Sequence, residues 1–237
     1  MARRLPSGAP WEDVAFVGVY WNCAARLDKL LRYVRPWFTK IVCVVQESPD
    51  ETLAVARRHA DVVIEDMFHG YGDASFPLAL AAVDRKWSFV VSDDEWPTRA
   101  LLGSFQDLVE TMPTQGAWFH FRSWIDGIEF TSEQDWHLRF FETRVGWPGA
   151  PHSRPPIDSF FAWRPTPDAV IEHRRSLDEM VRDYLRYIEL TDAWASEQMR
   201  SHNRMMIRDA ITAVASHKGW EYVEAFPWYQ TARQIAF

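Results

Sequence analysis

Val14-Ala15-Phe16-Val17-Gly18-Val19-Tyr20 carries no charge, and it is followed by residues 24–35, where Leu27, Leu30, Leu31 and Val34 recur at helical spacing. A continuous apolar run reads as a strand buried on both faces, and the three-to-four spacing as an amphipathic helix. The unit then repeats. Ile41-Val42-Cys43-Val44-Val45 predicts a second strand, residues 49–60 a helix with Ser48 as its N-cap, and residues 61–64 a third strand. Residues 78–83 read as helix, Trp87-Ser88-Phe89-Val90-Val91 as a fourth strand, and residues 99–112 as the helix after it. Strands alternating with helices predict an α/β fold: a Rossmann-like, doubly wound, mostly parallel sheet covered on both faces.

Beyond Gly116 the rhythm changes. Residues 117–124, 127–131 and 137–143 read as strands of a β-rich edge, and the Gly- and Pro-rich stretch 146–156 as a long loop. Residues 176–190 and 194–216 are helical in pattern, and the apolar tail 220–237 suits either a dimer contact or closure of a core. The expected organisation is a domain over 1–165, with halves at about 14–112 and 113–165, followed by a helical C-terminal extension over 166–237.

The composition belongs to an ordinary globular chain: 237 residues, 47% hydrophobic and 25% charged. Its formal charge of −7 lacks the basic excess of a phosphate-tracking protein. No apolar run approaches the roughly 20 residues of a membrane-spanning helix, and no secretory signal is visible at the start, so the expected location is the cytoplasm. Cys23 and Cys43 are too few for a disulfide framework.

In open α/β sheets ligands gather beyond the carboxyl ends of the strands. The segments in that position are Tyr20-Trp21-Asn22, the stretch from Gln46 and Glu47 through Asp50 to Thr52, Glu65-Asp66, and Ser92-Asp93-Asp94-Glu95. The last places three consecutive acids after an apolar strand. Their mutual repulsion calls for a cation or a proton, and Mg²⁺ or Mn²⁺ held by one or two carboxylates plus substrate phosphates suits a diphosphate ligand.

These motifs, in this order, resemble the family 2 glycosyltransferases, whose fold is called GT-A. Asn22 follows the first strand, Ser48-Pro49-Asp50-Glu51-Thr52 is similar to the end of the family's Asp-x-x-Ser-x-Asp-x-Thr, and residues 87–97 resemble the strand ending in Asp-x-Asp-Glu. His137-Leu138-Arg139-Phe140-Phe141 is similar to the later Arg-Leu-Phe strand, and Pro151-His152 stands where a loop His is expected. Three positions depart from the pattern: Ser92 replaces the first Asp, Gln46 an acid, and Phe76-Pro77 an Arg-Asn pair.

The resemblance implies transfer of a sugar from a nucleoside diphosphate sugar, UDP first, to an acceptor hydroxyl, with metal assistance and inversion. It implies Asn22, Gln46, Glu47, Asp50, Asp66, Asp93 and Arg154 for the nucleotide sugar, and Asp94, Glu95 and His152 for Mn²⁺ or Mg²⁺. An inverting transfer needs a general base, for which Asp126, Glu133 and Asp135 are the candidates and Asp135 comes first. The acceptor is open among a glycan, a small molecule and modified DNA. Rival readings are a glycosyltransferase acting on a hydroxymethylated DNA base and a catalytically lapsed sugar-nucleotide-binding module.

Overall fold

A computed structural model describes residues 12–130, 135–150, 153–191 and 197–237. The chain divides into two compact units, one of residues 1–121 and 134–172, the other of 122–133 and 173–237.

The first unit opens with β1 (Val14–Tyr20), α1 (Ala24–Val34), β2 (Lys40–Gln46), α2 (Thr52–His59) and β3 (Val62–Asp66). A short 3-10 turn leads into α3 (Phe76–Ala81), followed by β4 (Trp87–Val90), β5 (Glu95–Pro97), α4 (Arg99–Gly103) and α5 (Phe105–Thr111). Then come β6 (Gly116–Ile125), β7 (Ile128–Glu129), β8 (Trp136–Glu142), β9 (Ala162–Trp163) and β10 (Ile171–Arg175). β6 and β7 carry the chain into the second unit, and β10 does so again.

In the first unit the strand order is β3-β2-β1-β4-β8-β6. The first four are mutually parallel, while β8 runs antiparallel to both β4 and β6. This is the doubly wound, mostly parallel α/β sheet that the apolar runs predict. From β1 the chain winds outward to β3 and then returns to β4 on the other side of β1. The order therefore reverses between β1 and β4, where such sheets open a ligand crevice at their carboxyl ends.

Both sheet faces are covered. Phe16 and Tyr20 pack with Leu27, Leu30 and Leu31 of α1 and with a ring cluster including Phe38, Phe89, Phe105, Phe119 and Phe140. Ala15, Val17, Val44 and Val90 pack on the other face against Phe76, Ala79 and Leu80 of α3. Gly18 is required within β1, because a Cβ there would lie 2.1 Å from the Tyr20 hydroxyl oxygen. The tyrosine ring crosses the glycine and donates its hydroxyl to Val91 O at 3.3 Å.

Three elements differ from expectation. The helix expected over 99–112 is broken into α4 and α5 at Ser104, whose hydroxyl donates to Leu101 O and accepts from Trp163 Nε1. Such a local bond gives the backbone an alternative to continuing the helix. The second strand of the β-rich edge, expected over 127–131, is reduced to β7. In addition, the β6–β8 ladder shifts register, since Ala117 faces Phe140 but Trp118 faces Leu138. Arg139 is the extra residue of a β-bulge, a device that re-aims a side chain.

The second unit holds α6 (Leu177–Thr191), α7 (Glu197–Lys218), α8 (Trp220–Glu224) and α9 (Tyr229–Ala236). Ser176 and Glu179 form a reciprocal capping box at the start of α6. The apolar tail closes this unit's own core: Val223, Trp228, Tyr229 and Ala232 are buried with Val181, Ile207 and Ile211. A two-residue turn joins β6 to β7, with positive φ at both Asp126 (51°) and Gly127 (80°), the conformation that favours Asp-Gly in a hairpin. Among the described residues no helix is long and apolar enough to cross a membrane.

Candidate functional site

At the carboxyl ends of β1 and β2 one loop caps another element's helix. Asn22 N donates to Ser48 Oγ at 3.1 Å, Cys23 N to Thr52 Oγ1 at 2.8 Å and Ala24 N to Asp50 Oδ2 at 2.9 Å. Helix α1 has no side-chain cap of its own, so the Ser48–Thr52 motif satisfies amides that its first turn leaves over. Burial acts against ionisation of Asp50, but hydrogen bonds from Thr52 and Ala24 outweigh it and hold the carboxyl below its ordinary range. The structure thus engages Asn22 and Asp50 in building the rim of the crevice.

Beside this rim lies a cleft of about 540 Å³ whose lining includes Trp21, Gln46, Glu47, Ser48, Asp66 and Phe68. Trp21 and Phe68 stack with ring centroids 4.4 Å apart, and Trp21 Nε1 donates to Glu47 O. Gln46 is buried, and its amide donates to Tyr71 O at 2.9 Å and Ser75 Oγ at 2.8 Å. Ser75 in turn donates to Asp66 Oδ2 at 2.7 Å, which also pairs with His69 Nε2 at 3.1 Å. Burial raises the Asp66 pKa, but the bonds from Ser75, His69 and Met67 N prevail and lower it. Gln46, Glu47 and Asp66 therefore come together, with Gln46 and Asp66 joined in one polar network beneath the cleft.

The acidic segment after β4 divides by role. Glu95 is 3% exposed, and Arg139 clasps both its oxygens, Nη2 to Oε1 at 2.6 Å and Nε to Oε2 at 3.1 Å. Ser92 N donates to the same carboxylate at 3.1 Å. Glu95, expected as a metal ligand, is thus engaged in a buried bidentate pair in this structure. Asp93 pairs with Arg26 Nε at 2.6 Å. Burial, and then the neighbouring Asp94 carboxylate, push Asp93 up to about 7 despite that arginine. Two carboxylates crowded in a partly desolvated turn form a donor set suited to a hard divalent cation that takes its remaining ligands from phosphate and water. Among the described residues no group of three or more His, Cys, Asp or Glu side chains could hold a metal ion.

The base candidates separate as well. Asp135 Oδ1 bonds His137 Nε2 at 2.8 Å. Asp126 lies in the second unit, where it accepts from Leu177 N at 3.2 Å and Tyr222 Oη at 3.0 Å and faces Lys218 Nζ at 3.7 Å. Asp126, a candidate base in the sequence, thus caps the start of α6. Glu133 and His152 lie outside the described residues. The Arg154 guanidinium lies over the Trp118 ring at 5.0 Å.

Arg26 joins the site without having been singled out from the sequence, and His137 and Arg139, quoted there only as part of a motif, join it with partners that the motif did not specify. For Arg139 a signal existed: a charge inside Leu138-Arg139-Phe140-Phe141 must find a partner when that strand is buried.

No known family model matches the chain, and no curated protein matches it in sequence. Solved structures do match in fold. Residues 1–349 of S. aureus TarS superpose with a TM-score of 0.52 at 10% identity, covering 94% of this chain and 78% of that one. A longer S. aureus TarS gives 0.54 at 11% identity over 93% of this chain, which spans only 47% of that protein. The mannosyltransferase PcManGT from Pyrobaculum calidifontis, in complex with GDP-Man and Mn²⁺, gives 0.53 at 14% identity, covering 94% and 84%. The chain has the GT-A-like glycosyltransferase fold.

Proposed function

We propose that this chain is a glycosyltransferase that moves a sugar from a nucleoside diphosphate sugar to an acceptor hydroxyl with inversion at the anomeric carbon. The observation that carries this reading is the Asp93–Asp94 pair at the β1/β4 switch point of a GT-A-like sheet, where burial and mutual repulsion raise the Asp93 pKa. Related folds support the donor class: TarS has been captured with UDP-GlcNAc and PcManGT with GDP-Man and Mn²⁺. UDP-sugars are the first donors to test and GDP-sugars the second.

Asp94, with Asp93 beside it, would hold Mn²⁺ or Mg²⁺. When bound, the cation supplies Lewis-acid neutralisation of the charge that grows on the departing diphosphate. The chain's own residues do the rest. Arg26 positions Asp93, and the Arg139–Glu95 pair fixes the turn that carries both acids. The cleft of Trp21, Glu47 and Phe68 receives the nucleoside. Asp135, whose Oδ1 is held by His137 Nε2, takes the acceptor proton as the acceptor oxygen bonds to the anomeric carbon and the bond to diphosphate breaks.

Thermal unfolding with UDP- and GDP-sugars, with and without Mn²⁺, tests the reading, because a ligand that binds only the native state raises its melting temperature. The expected result is a metal-dependent rise in wild type that disappears in Asp94→Ala. No rise with any donor would overturn it. A rise without donor turnover would favour the binding-module reading, for which the internal commitment of Gln46 and Glu95 is the specific support.

A further inference from the structure

A second surface of the first unit is built from rings. Phe160, 60% exposed, sits 5.1 Å from the Trp118 ring and 6.1 Å from the Trp136 ring. His120 packs edge-on against Trp136 at 5.2 Å, and Arg154 covers the far side of the row through Trp118. The ladder explains this assembly: Trp118 faces Leu138 and His120 faces Trp136, which brings residues of β6 and β8 together on one sheet face.

The register also places the surface. The β4–β8 ladder ends at Phe89↔Phe140, and because the strands are antiparallel, residues 136–138 continue past the carboxyl end of β4. That is the end carrying Asp93 and Asp94. Trp136 therefore lies toward the end of the sheet that carries the candidate donor crevice, flanked in sequence by Asp135 and His137.

We propose that the Trp118–Phe160–Trp136 surface binds a neutral glycan and serves as the acceptor subsite. The inference rests on the transferase reading for its role, but on the rings for its chemistry. The apolar C–H face of a pyranose ring matches the exposed Phe160 ring and the half-buried indoles beside it, while hydroxyls at the sugar's edge are matched by the Arg154 guanidinium. A polyanionic acceptor is disfavoured by the chain's formal charge of −7. Phe160 is open to solvent, while Trp118 and Trp136 behind it are half-buried, so a sugar would meet the Phe160 ring first.

Cellotetraose, chitotetraose and mannotetraose are the probes, read by quenching of tryptophan emission in wild type, Phe160→Ala and Phe160→Tyr. Turnover of the UDP- or GDP-sugar by water, without acceptor, is measured in parallel. At least one tetrasaccharide should quench wild type saturably. Phe160→Ala should weaken that binding about tenfold, as expected for one lost stacking contact, and Phe160→Tyr should restore it. Donor hydrolysis should be equal in all three proteins.

Equal binding by Phe160→Ala would overturn the proposal, as would failure of all three sugars to bind. So would Phe160-dependent binding of a single-stranded oligonucleotide carrying 5-hydroxymethylcytosine in their place. Phe160-dependent glycan binding in a protein that turns over no donor would support the glycan surface while overturning the transferase reading, so the two failures are distinguishable.

Discussion

Two turns, one after β4 and one after β6, each place aspartate at the end of a strand, yet they leave those acids in opposite conditions. Asp126 accepts from Leu177 N and Tyr222 Oη and faces Lys218, so its charge is met by a helix start, a hydroxyl and an ammonium. Asp93 has Arg26 on one side and a second carboxylate, Asp94, on the other, and its pKa rises to about 7. Sequence position is the same in kind for both. What separates a structural acid from a functional one is whether the fold supplies enough positive or donor groups to satisfy it.

The sharpest way to break this contrast is Asp94→Ala. If the turn after β4 exists to receive a cation and diphosphate, sugar transfer should fall about a thousandfold with the melting temperature little changed, as read by donor turnover alongside thermal unfolding. Arg139→Ala should do the reverse. Leaving the buried Glu95 without its partner should cost about 3–4 kcal/mol of stability, measured by urea unfolding. Asp126→Ala should cost about 2 kcal/mol through the lost helix cap and hydroxyl bond, with turnover per folded molecule unchanged.

The smallest effect is expected at Asp50, a satisfied acid in the first unit. Its folded-state pKa lies below the unfolded value of about 3.9. Its contribution is therefore complete above that value and is lost as pH falls through the folded pKa. Asp50→Asn should lower stability by about 1 kcal/mol at neutral pH and reduce the loss seen on acidification below pH 4, measured by urea unfolding across pH. An unchanged acid limb would break the parallel drawn between Asp50 and Asp126.

The fold was legible where burial is two-sided. Strands β1, β2 and β4 are parallel and covered on both faces, so each reads as an unbroken apolar run, and their alternation with α1 and α2 points to one architecture. The break at Ser104 was not legible, because Trp163, whose indole reaches the Ser104 hydroxyl, is far away in sequence. In the site, the acids after β4 stood out because charge follows hydrophobic residues without transition. That Glu95 would be taken by Arg139 could not be read, since it depends on which residue of β8 is left over when two strands are paired. The partners of Asp126 were hidden for the related reason that Leu177, Lys218 and Tyr222 lie 51 or more positions downstream. His137 was visible as part of a motif, but its bond to Asp135 belongs to the fold.

The bulge in β8 makes one position a switch of heredity. Phe140 packs with Phe119 on one face while Leu138 and Phe141 pack on the other, an arrangement that holds only because Arg139 is counted out of the ladder. Loss of the single codon for Arg139 would remove the clasp on Glu95 and leave a regular ladder with both cores intact. Deletion and point substitution alike would strand the buried carboxylate of Glu95; they differ in that deletion removes the bulge while substitution keeps it. Descendants that have lost Arg139 by either route should also carry an uncharged residue in place of Glu95.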